Sequence, residues 1–359
     1  MPDQPDQPDQ PGRTVALADL TTLRLGGPAR RYVRVEDDAA LIAAVGEADA
    51  AGEPLLVVGG GSNLVVADDG VAGTVVHVAG RGVRVVDDGC GVVEVSVAAG
   101  EPWDDLVARA VAEGWVGLEA LAGIPGTTGA TPVQNVGAYG QEVADTIARV
   151  RVWDRVLRGE RTFTAAECRF GYRTSRFKAD RLDAWGGRHV VLEVTFAFHP
   201  GDLSAPVRYA ELARTLGVEP GERAPLAEVR EAVLGLRRGK GMVLDAAEHD
   251  TWSAGSFFTN PVLAPDQVPD GAPAYAQPDG TVKTSAAWLI EQAGFGRGFG
   301  LDREPARVSL STRHTLALTH RGGGTTEELL ALAREVRDGV RARFGVELVN
   351  EPVLVGCAL

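Results

Sequence analysis

One long glycine-rich segment restricts the folds open to this chain more than any other feature. It covers residues 117–143, GLEALAGIPGTTGATPVQNVGAYGQEV, and holds glycines at 123, 126, 129, 137 and 140. The segment is poor in helical periodicity and too apolar for a solvated linker. Glycine loses more conformational freedom on folding than any other residue, so a purely structural stretch of this kind would be costly. We therefore expect this backbone to lie against a ligand.

A second glycine-rich loop, 59-GGGSN-63, directly follows the strand-like run 55-LLVV-58. Its successive N–H groups are able to cradle an anion, although a tight β-turn explains the pattern equally well by itself. The dinucleotide fingerprint would need GxGxxG opening a helix, and 64-LVVADDG-70 instead indicates another strand and turn. Taken with the first loop, it suggests a pyrophosphate and a flat ring lying against backbone.

The remaining pattern predicts an α+β chain with two lobes and many non-local strands. Helical spacing predicts helices from Asp37 to Gly52, from Pro102 to Gly114, over 226–238, over 285–293, and from a Thr325–Glu328 capping box to Gly345. Strand-like runs lie at 55–58, 74–78, 83–86, 92–97, 147–153, 190–198, 307–311, 315–319 and 353–356. The Pro/Gly/Glu-rich piece 217–225 predicts a boundary, and the Pro-rich piece 261–280 predicts a loop.

Composition excludes several classes of protein. The length of 359 residues predicts two or three domains, and the opening MPDQPDQPDQPG predicts a disordered tail over 1–13. A net charge of −13 argues against nucleic-acid binding, although it permits a local basic pocket for a phosphorylated small molecule. We see no membrane span, no signal peptide and no metal-ligand pattern. The cysteines Cys90, Cys168 and Cys357 form no CxxC, which favours a reducing, cytoplasmic location.

Five motifs in order resemble the UDP-N-acetylenolpyruvoylglucosamine reductase (MurB) family of peptidoglycan synthesis. They are 59-GGGSN-63, 124-IPGTTGATPVQNVGAYG-140, 168-CRFGYRTSRFK-178, 255-GSFFTNP-261 and 351-EP-352. The resemblance runs from about Thr21 to about Gly356. It implies a vanillyl-alcohol-oxidase-type FAD-binding fold of two subdomains, 14–77 (joined by the last strand, 352–359) and 78–222. A C-terminal α+β substrate-binding domain would cover 223–351.

The resemblance implies a flavoenzyme that is usually a monomer. NADPH would reduce the FAD, and hydride would then pass to the enolpyruvyl group of a UDP-sugar, giving UDP-N-acetylmuramate. Neither glycine-rich loop contains His or Cys, so we expect the FAD to be non-covalent. The residues expected to bind FAD are Gly59, Gly60, Gly61, Ser62, Asn63, Leu64, Pro125, Gly126, Thr128, Gly129, Ala130, Gln134, Asn135, Gly137 and Ala138.

Three residues match the family's catalytic positions. Hydride addition to the vinyl carbon leaves negative charge that delocalises into an enediolate, which needs cationic or acidic groups at its oxygens and a proton source at its carbon. The fork of Arg173 matches the carboxylate, and a protonated Glu351 would donate to the enediolate. Ser256 corresponds to the proton donor. From sequence alone, a surface ion pair explains Arg173 better and a turn acid explains Glu351 better, and Ser256 has the alternative of a loop serine that satisfies backbone groups.

The same resemblance implies that four further residues contact the substrate. Tyr209 lies where one branch of the family has a tyrosine that closes over the UDP portion, and Lys240 is suited to a phosphate or a carboxylate. Asn260 ends the serine motif, and His314 lies near a position that is polar in the family, although a lone histidine is more often structural.

Two other functions are compatible with parts of the pattern. One is a flavin-dependent oxidase of small alcohols or sugars with the same superfold, and such enzymes often attach their flavin covalently through His or Cys. The other is a non-catalytic protein that binds a UDP-sugar, against which the joint presence of Arg173, Ser256 and Glu351 argues.

Overall fold

The computed structural model describes residues 15–89, 91–183 and 185–359, so the predicted tail and Cys90 lie outside it. The helices are α1 Asp38–Ala51, α2 Trp103–Ala112, α3 Thr131–Gln134, α4 Ala165–Cys168, α5 Arg176–Ala179, α6 Ala210–Leu216, α7 Leu226–Gly239, α8 Ala286–Gln292 and α9 Thr326–Phe344. The strands are β1 Ala29–Val35, β2 Leu55–Val58, β3 Leu64–Val66, β4 Val71–Val78, β5 Val83–Gly89, β6 Val92–Ala98, β7 Trp115–Val116, β8 Gly137–Ala138, β9 Gln141–Glu142, β10 Ile147–Asp154, β11 Gly159–Thr164, β12 His189–Pro200, β13 Val262–Leu263, β14 Ala274–Ala276, β15 Val282–Thr284, β16 Val308–Leu310, β17 Leu318–His320 and β18 Val353–Val355.

The first layer is a parallel sheet of strand order β1-β4-β2, with α1 packed against it. The predicted helix signals act as expected: the Asp37 side chain accepts a hydrogen bond from the N–H of Ala40 at 2.8 Å, and Gly52 ends the helix in a left-handed conformation. The strand β2 runs directly into the GGGSN loop. This layer therefore presents that loop at the carboxyl end of a buried strand.

The second layer is an antiparallel sheet of order β11-β10-β12-β6-β5, with β7 paired to β12. Helix α2 covers it, and the ring of Trp103 lies 6.2 Å from that of Phe196 in the core. The segment that joins this layer's early and late strands contains the long glycine-rich loop. Its short hairpin β8–β9 closes by pairing Gly137 with Glu142.

A separate hydrophobic cluster forms where α8 and α9 pack with the β16–β17 pair. The capping box predicted for α9 is confirmed, because Thr325 and Glu328 each accept a hydrogen bond from the other's backbone N–H. The final strand β18 leaves this cluster and pairs in parallel with β3. The end of the chain thus lies beside the strand that follows the GGGSN loop.

Three local predictions were wrong. The piece 261–280 is not a continuous loop, because β13 and β14 flank β15 in a small antiparallel sheet. The strand predicted over 315–319 begins only at Leu318, since the Ser311 hydroxyl accepts hydrogen bonds from the N–H groups of Arg313 and His314 and turns the chain. The helix predicted to begin at Pro102 begins at Trp103, and Pro102 is its N-cap. Within the part of the chain that the structure describes, no helix is long and apolar enough to cross a membrane.

Candidate active site

A cavity lies between the two layers, and both glycine-rich loops line it. Its walls also include apolar residues of β2 and β12. The lining residues are Leu56, Val57, Val58, Gly59, Gly60, Gly61, Ser62, Asn63, Leu64, Val78, Ala99, Thr127, Gly129, Ala130, Val133, Gln134, Phe177, Lys178, Arg181, Trp185, Gly187, His189, Val190, Val191 and Val353.

The glycines of the two loops first of all allow the loops to pack on each other. A Cβ atom on Gly60 would lie 2.6 Å from the Cα of Gly126, and one on Gly59 would lie 2.1 Å from the Oγ1 of Thr127. Such distances are far inside van der Waals contact. The glycine density therefore has a structural cause in loop–loop packing that the sequence pattern does not reveal.

The same packing leaves a row of backbone donors at the cavity. Among the described residues, the N–H groups of 60–63 donate to no carbonyl or side-chain acceptor. Gly61 has a φ of +58°, the left-handed conformation that turns successive N–H groups towards one point. Gly61 is buried and its neighbours in the row are partly buried. Backbone donors withdrawn from water are almost always paired, so this row fits an anionic group of a ligand.

The cavity contains some of the predicted cofactor residues and not others. Those that line it are Gly59, Gly60, Gly61, Ser62, Asn63, Leu64, Gly129, Ala130 and Gln134. Outside the lining lie Pro125, Gly126, Thr128, Asn135, Gly137 and Ala138. Asn135 is buried, and its amide donates to Glu142 at 2.8 Å and to the carbonyl of Gly171 at 3.0 Å. It thus ties the glycine-rich loop to the segment that carries Arg173.

Arg173 and Glu351 form one unit at the edge of this cavity. The Nε of Arg173 lies 2.9 Å from Oε1 of Glu351, and its Nη2 donates to the carbonyl of Gly137 at 2.8 Å. Arg173 has a φ of +52°, a strained backbone conformation for a non-glycine residue. Burial raises the pKa of Glu351, while the positive charges of Arg173 and Lys178 act in the opposite direction.

Ser256 is held next to this pair by its neighbours. The carbonyl of Phe257 accepts a hydrogen bond from the N–H of Glu351 at 2.8 Å, and the N–H of Phe257 donates to the carbonyl of Leu316 at 2.8 Å. Phe257 and Phe258 are fully buried in the C-terminal cluster. The Ser256 hydroxyl itself makes no hydrogen bond with any described residue. The structure therefore brings together the three residues predicted to be catalytic.

Three of the four predicted substrate residues, Tyr209, Lys240 and His314, lie in a second group around Tyr139 and Lys240. The ring of Tyr209 meets that of Tyr139 edge-on at 5.4 Å, and the Nζ of Lys240 lies 5.4 Å from the Tyr139 ring centre. Lys240 also pairs with Glu211 at 2.5 Å. Burial, followed by the charge of Lys240, lowers the pKa of His314 to about 4, which keeps that imidazole neutral at pH 7.

Asn260 lies on the other side, near the arginine. Asn260 is adjacent to Tyr172, the residue before Arg173. Burial raises the pKa of the Tyr172 hydroxyl, and the charge of Arg173 and hydrogen bonding with Asn260 act in the opposite direction. Its Oδ1 also accepts a hydrogen bond from the N–H of Ala286, at the start of α8. The hairpin β8–β9 connects the two groups, since Gly137 contacts Arg173 and Tyr139 contacts Lys240.

Sequence reasoning missed two polar residues at the site. Lys178 lines the cavity and donates to Gln134 at 2.9 Å, and Tyr139 joins Tyr209 to Lys240. Both residues belong to motifs that carried the family resemblance. Their position within those motifs could have indicated that they belong to the site.

The comparison with known proteins first identifies the class. The FAD binding domain family matches residues 29–160, which include the GGGSN loop and the long glycine-rich loop. The cavity fits this cofactor, because its apolar walls suit a flat ring and the free N–H row at 60–63 suits a pyrophosphate. The protein is an FAD-binding flavoprotein.

A second match identifies the family within that class. The family described as UDP-N-acetylenolpyruvoylglucosamine reductase, C-terminal domain, matches residues 246–355. A UDP-N-acetylenolpyruvoylglucosamine reductase of Cutibacterium acnes is 58% identical over 97% of this chain and 91% of its own length. One of Streptomyces avermitilis is 57% identical over 96% of this chain and 94% of its own length. The chain belongs to the UDP-N-acetylenolpyruvoylglucosamine reductase family.

A solved structure confirms the predicted fold class. The crystal structure of UDP-N-acetylenolpyruvylglucosamine reductase (MurB) from Thermus caldophilus covers 96% of this chain and 98% of its own, at 24% identity and a TM-score of 0.64. The α+β class, with an FAD-binding region followed by a C-terminal domain of this family, is therefore confirmed.

Proposed function

We infer that this chain reduces the enolpyruvyl group of UDP-N-acetylglucosamine enolpyruvate to UDP-N-acetylmuramate, with NADPH as the source of hydride, in peptidoglycan synthesis. The observation that carries the assignment of residues is the Arg173–Glu351 pair, which lies at the edge of the FAD cavity with the free hydroxyl of Ser256 beside it. An oxidase would not need a proton donor and a carboxylate-binding arginine at this place.

Arg173 binds the substrate carboxylate in this proposal. FAD, when bound, would supply the redox chemistry, which is the transfer of hydride from NADPH to the substrate's double bond. The guanidinium of Arg173 is already oriented by Gly137 and Glu351, so it loses little freedom when a carboxylate arrives. It then holds the oxygens on which negative charge develops during reduction.

Glu351 acts as a hydrogen-bond donor once it is protonated. Burial already raises the pKa of its carboxyl, and the arriving substrate carboxylate adds a second negative charge close by. Like charges in one site favour uptake of a proton by one of them. A neutral Glu351 would then donate to the enediolate oxygen while Arg173 keeps its positive charge.

Ser256 delivers the proton to the substrate carbon. A carbanion next to a carboxylate is a strong base, so an ordinary hydroxyl is acidic enough if it is well placed. The hydroxyl is free of other hydrogen bonds among the described residues, and its backbone is anchored by Phe257. Proton donation therefore depends on position and not on an activating base.

We also propose how the rest of the chain contributes. Tyr209, Lys240 and His314 would face the nucleotide portion of the substrate, and Asn260 would contact it near Arg173. The parallel pairing of β18 with β3 supports assigning 352–359 to the first FAD-binding subdomain (14–77), followed by the second (78–222) and the substrate domain (223–351). We propose that the protein acts as a monomer in the cytoplasm, where NADPH and UDP-sugars are made, and size-exclusion chromatography would test the oligomeric state.

The function is tested by the visible spectrum of the purified protein. NADPH should bleach the flavin absorbance, and the enolpyruvyl UDP-sugar should restore it under anaerobic conditions. Mass spectrometry should find a product heavier than the substrate by two hydrogens. A protein that binds FAD and is bleached, but is reoxidised only by oxygen, would favour the oxidase instead.

The role of Ser256 is tested by separating the two half-reactions. In Ser256→Ala, reduction by NADPH should be nearly unchanged, and reoxidation by substrate should slow by about 10²–10⁴-fold. Ser256→Cys should keep part of the rate. Thr259→Ala, in the same segment, is the matched control, because within the described chain the Thr259 hydroxyl donates a hydrogen bond to the carbonyl of Val349 and to nothing else. Normal reoxidation in Ser256→Ala would remove the hydroxyl from the mechanism.

A further inference from the structure

Lys178 is a charged residue of the cofactor cavity to which the proposed mechanism gives no role. It lies in α5, half-buried, and its side chain lines the same cavity as the two glycine-rich loops. Its Nζ donates to Oε1 of Gln134 at 2.9 Å and to the carbonyl of Arg173 at 3.1 Å. An ammonium group has three N–H donors, so one remains for a further acceptor.

The charge of Lys178 is not paired with a carboxylate among the residues that the structure describes. No described Asp or Glu forms an ion pair with it, and Glu351 is already paired with Arg173. Burial lowers the pKa of Lys178, as expected for a cation that lacks a partner in a partly dehydrated site. The end of the cavity around Arg173, Glu351 and Lys178 thus carries excess positive charge.

The contacts of Lys178 also show at which end of the cavity it lies. It bonds to the carbonyl of Arg173, and its partner Gln134 donates to the carbonyl of Glu351 at 3.1 Å. The reacting end of the cofactor must approach these residues if hydride is to reach a substrate bound by Arg173. Lys178 therefore lies at the redox end of the cavity, where the cofactor gains negative charge on reduction.

We propose that the ammonium of Lys178 stabilises negative charge on the reduced FAD and so favours its reduction by NADPH. A positive charge held near the flavin lowers the energy of its anionic reduced form more than that of its neutral oxidised form. The inference rests on the proposed function in taking FAD as the cofactor and Arg173 as the residue that binds the substrate.

The test follows the ionisation of the reduced flavin through its absorbance as a function of pH, under anaerobic conditions. In Lys178→Met the pH midpoint of this ionisation should rise by at least about one unit, which means that the reduced flavin has become a tenfold weaker acid. Lys178→Arg should keep the wild-type midpoint. Arg176→Met is the matched control, because it removes a positive charge from the same helix but from outside the cavity lining.

A second variant separates charge from structure. A glutamine at this position can still donate to the carbonyl of Arg173 but has no charge, so in Lys178→Gln the pH midpoint of flavin ionisation should also rise. This variant provides the test if Lys178→Met does not bind FAD. An unchanged midpoint in Lys178→Gln, or a wild-type midpoint no lower than that of free reduced FAD in the same buffer, would overturn the proposal. Failure of the substrate to reoxidise the flavin would instead count against the proposed function and leave this measurement valid.

Discussion

Replacing Gly60 with alanine tests whether contact between the two glycine-rich loops is needed for FAD binding. The new Cβ would lie 2.6 Å from the Cα of Gly126 and 3.1 Å from its carbonyl carbon. Carbon atoms pack at about 3.5–4.0 Å, so the loops must separate by about 1 Å. Both contacts are with backbone, which cannot rotate away as a side chain can. Such overpacking typically costs about 1–3 kcal/mol.

The cost should appear mainly as weaker FAD binding. Without the cofactor the two loops are free to move apart and relieve the clash, whereas the cofactor needs both at once on the walls of its cavity. A cost of about 1–3 kcal/mol corresponds to a loss of roughly 5- to 150-fold in affinity. Titration of the apoprotein with FAD, followed by the quenching of flavin fluorescence, measures this directly.

Gly46→Ala is the control for Gly60→Ala. Gly46 lies within α1, and nothing is within 4 Å of the Cβ that alanine would add. The substitution should stabilise the protein by about 0.5–1 kcal/mol, because alanine is the better helix former, and leave FAD affinity unchanged. Wild-type affinity and melting temperature in Gly60→Ala would show that the loops tolerate separation and refute the reasoning.

Three other predictions concern stability. Burial, with the charge of Arg34, lowers the pKa of His77 to about 4, so His77 binds a proton more readily when unfolded, and stability should fall by about 3 kcal/mol as pH drops from 6.5 to 4. Urea denaturation across this range should show a smaller loss in His77→Gln. Thr325→Ala removes the cap of α9 and should cost about 1 kcal/mol, whereas Thr325→Ser should cost much less. Asn135→Ala removes three hydrogen bonds and should cost about 2–4 kcal/mol in chemical denaturation, and a cost below 1 kcal/mol would mean that water replaces them.

Much of the fold was predictable because its signals are local. The start of α9 depends on a capping box four residues long, and the end of α1 depends on one glycine that can adopt a left-handed conformation. Such features need only neighbours in sequence. The strands of 261–280 were missed because their pairing with β15 is set by residues outside each short run, and the runs are only two and three residues long.

The site was predictable only through the order of its motifs. No local pattern indicates that the backbone of Glu351 bonds to Phe257, since 94 residues separate them in the chain, or that Asn135 holds the Arg173 segment through Gly171. Resemblance supplied the list of candidate catalytic residues without the contacts between them. It also gave no role to Lys178, whose significance depends on a cavity that only the folded chain has.

The setting of Ser256 is consistent with the proposed role of a serine that donates a proton without a basic partner. Gly255, on one side, has a φ of +72°, and nothing lies within 4 Å of the Cβ that a larger residue would add. Glycine is therefore favoured at this position by the backbone conformation and not by a lack of space. Phe257, on the other side, is fixed by two backbone hydrogen bonds and by complete burial, which stabilises by about 1.5–3 kcal/mol. The hydroxyl is thus held by its flanking backbone alone. A histidine would raise the basicity of this oxygen, which a nucleophile needs and an acid does not. The absence of such a partner among the described residues is therefore what a positioned donor requires.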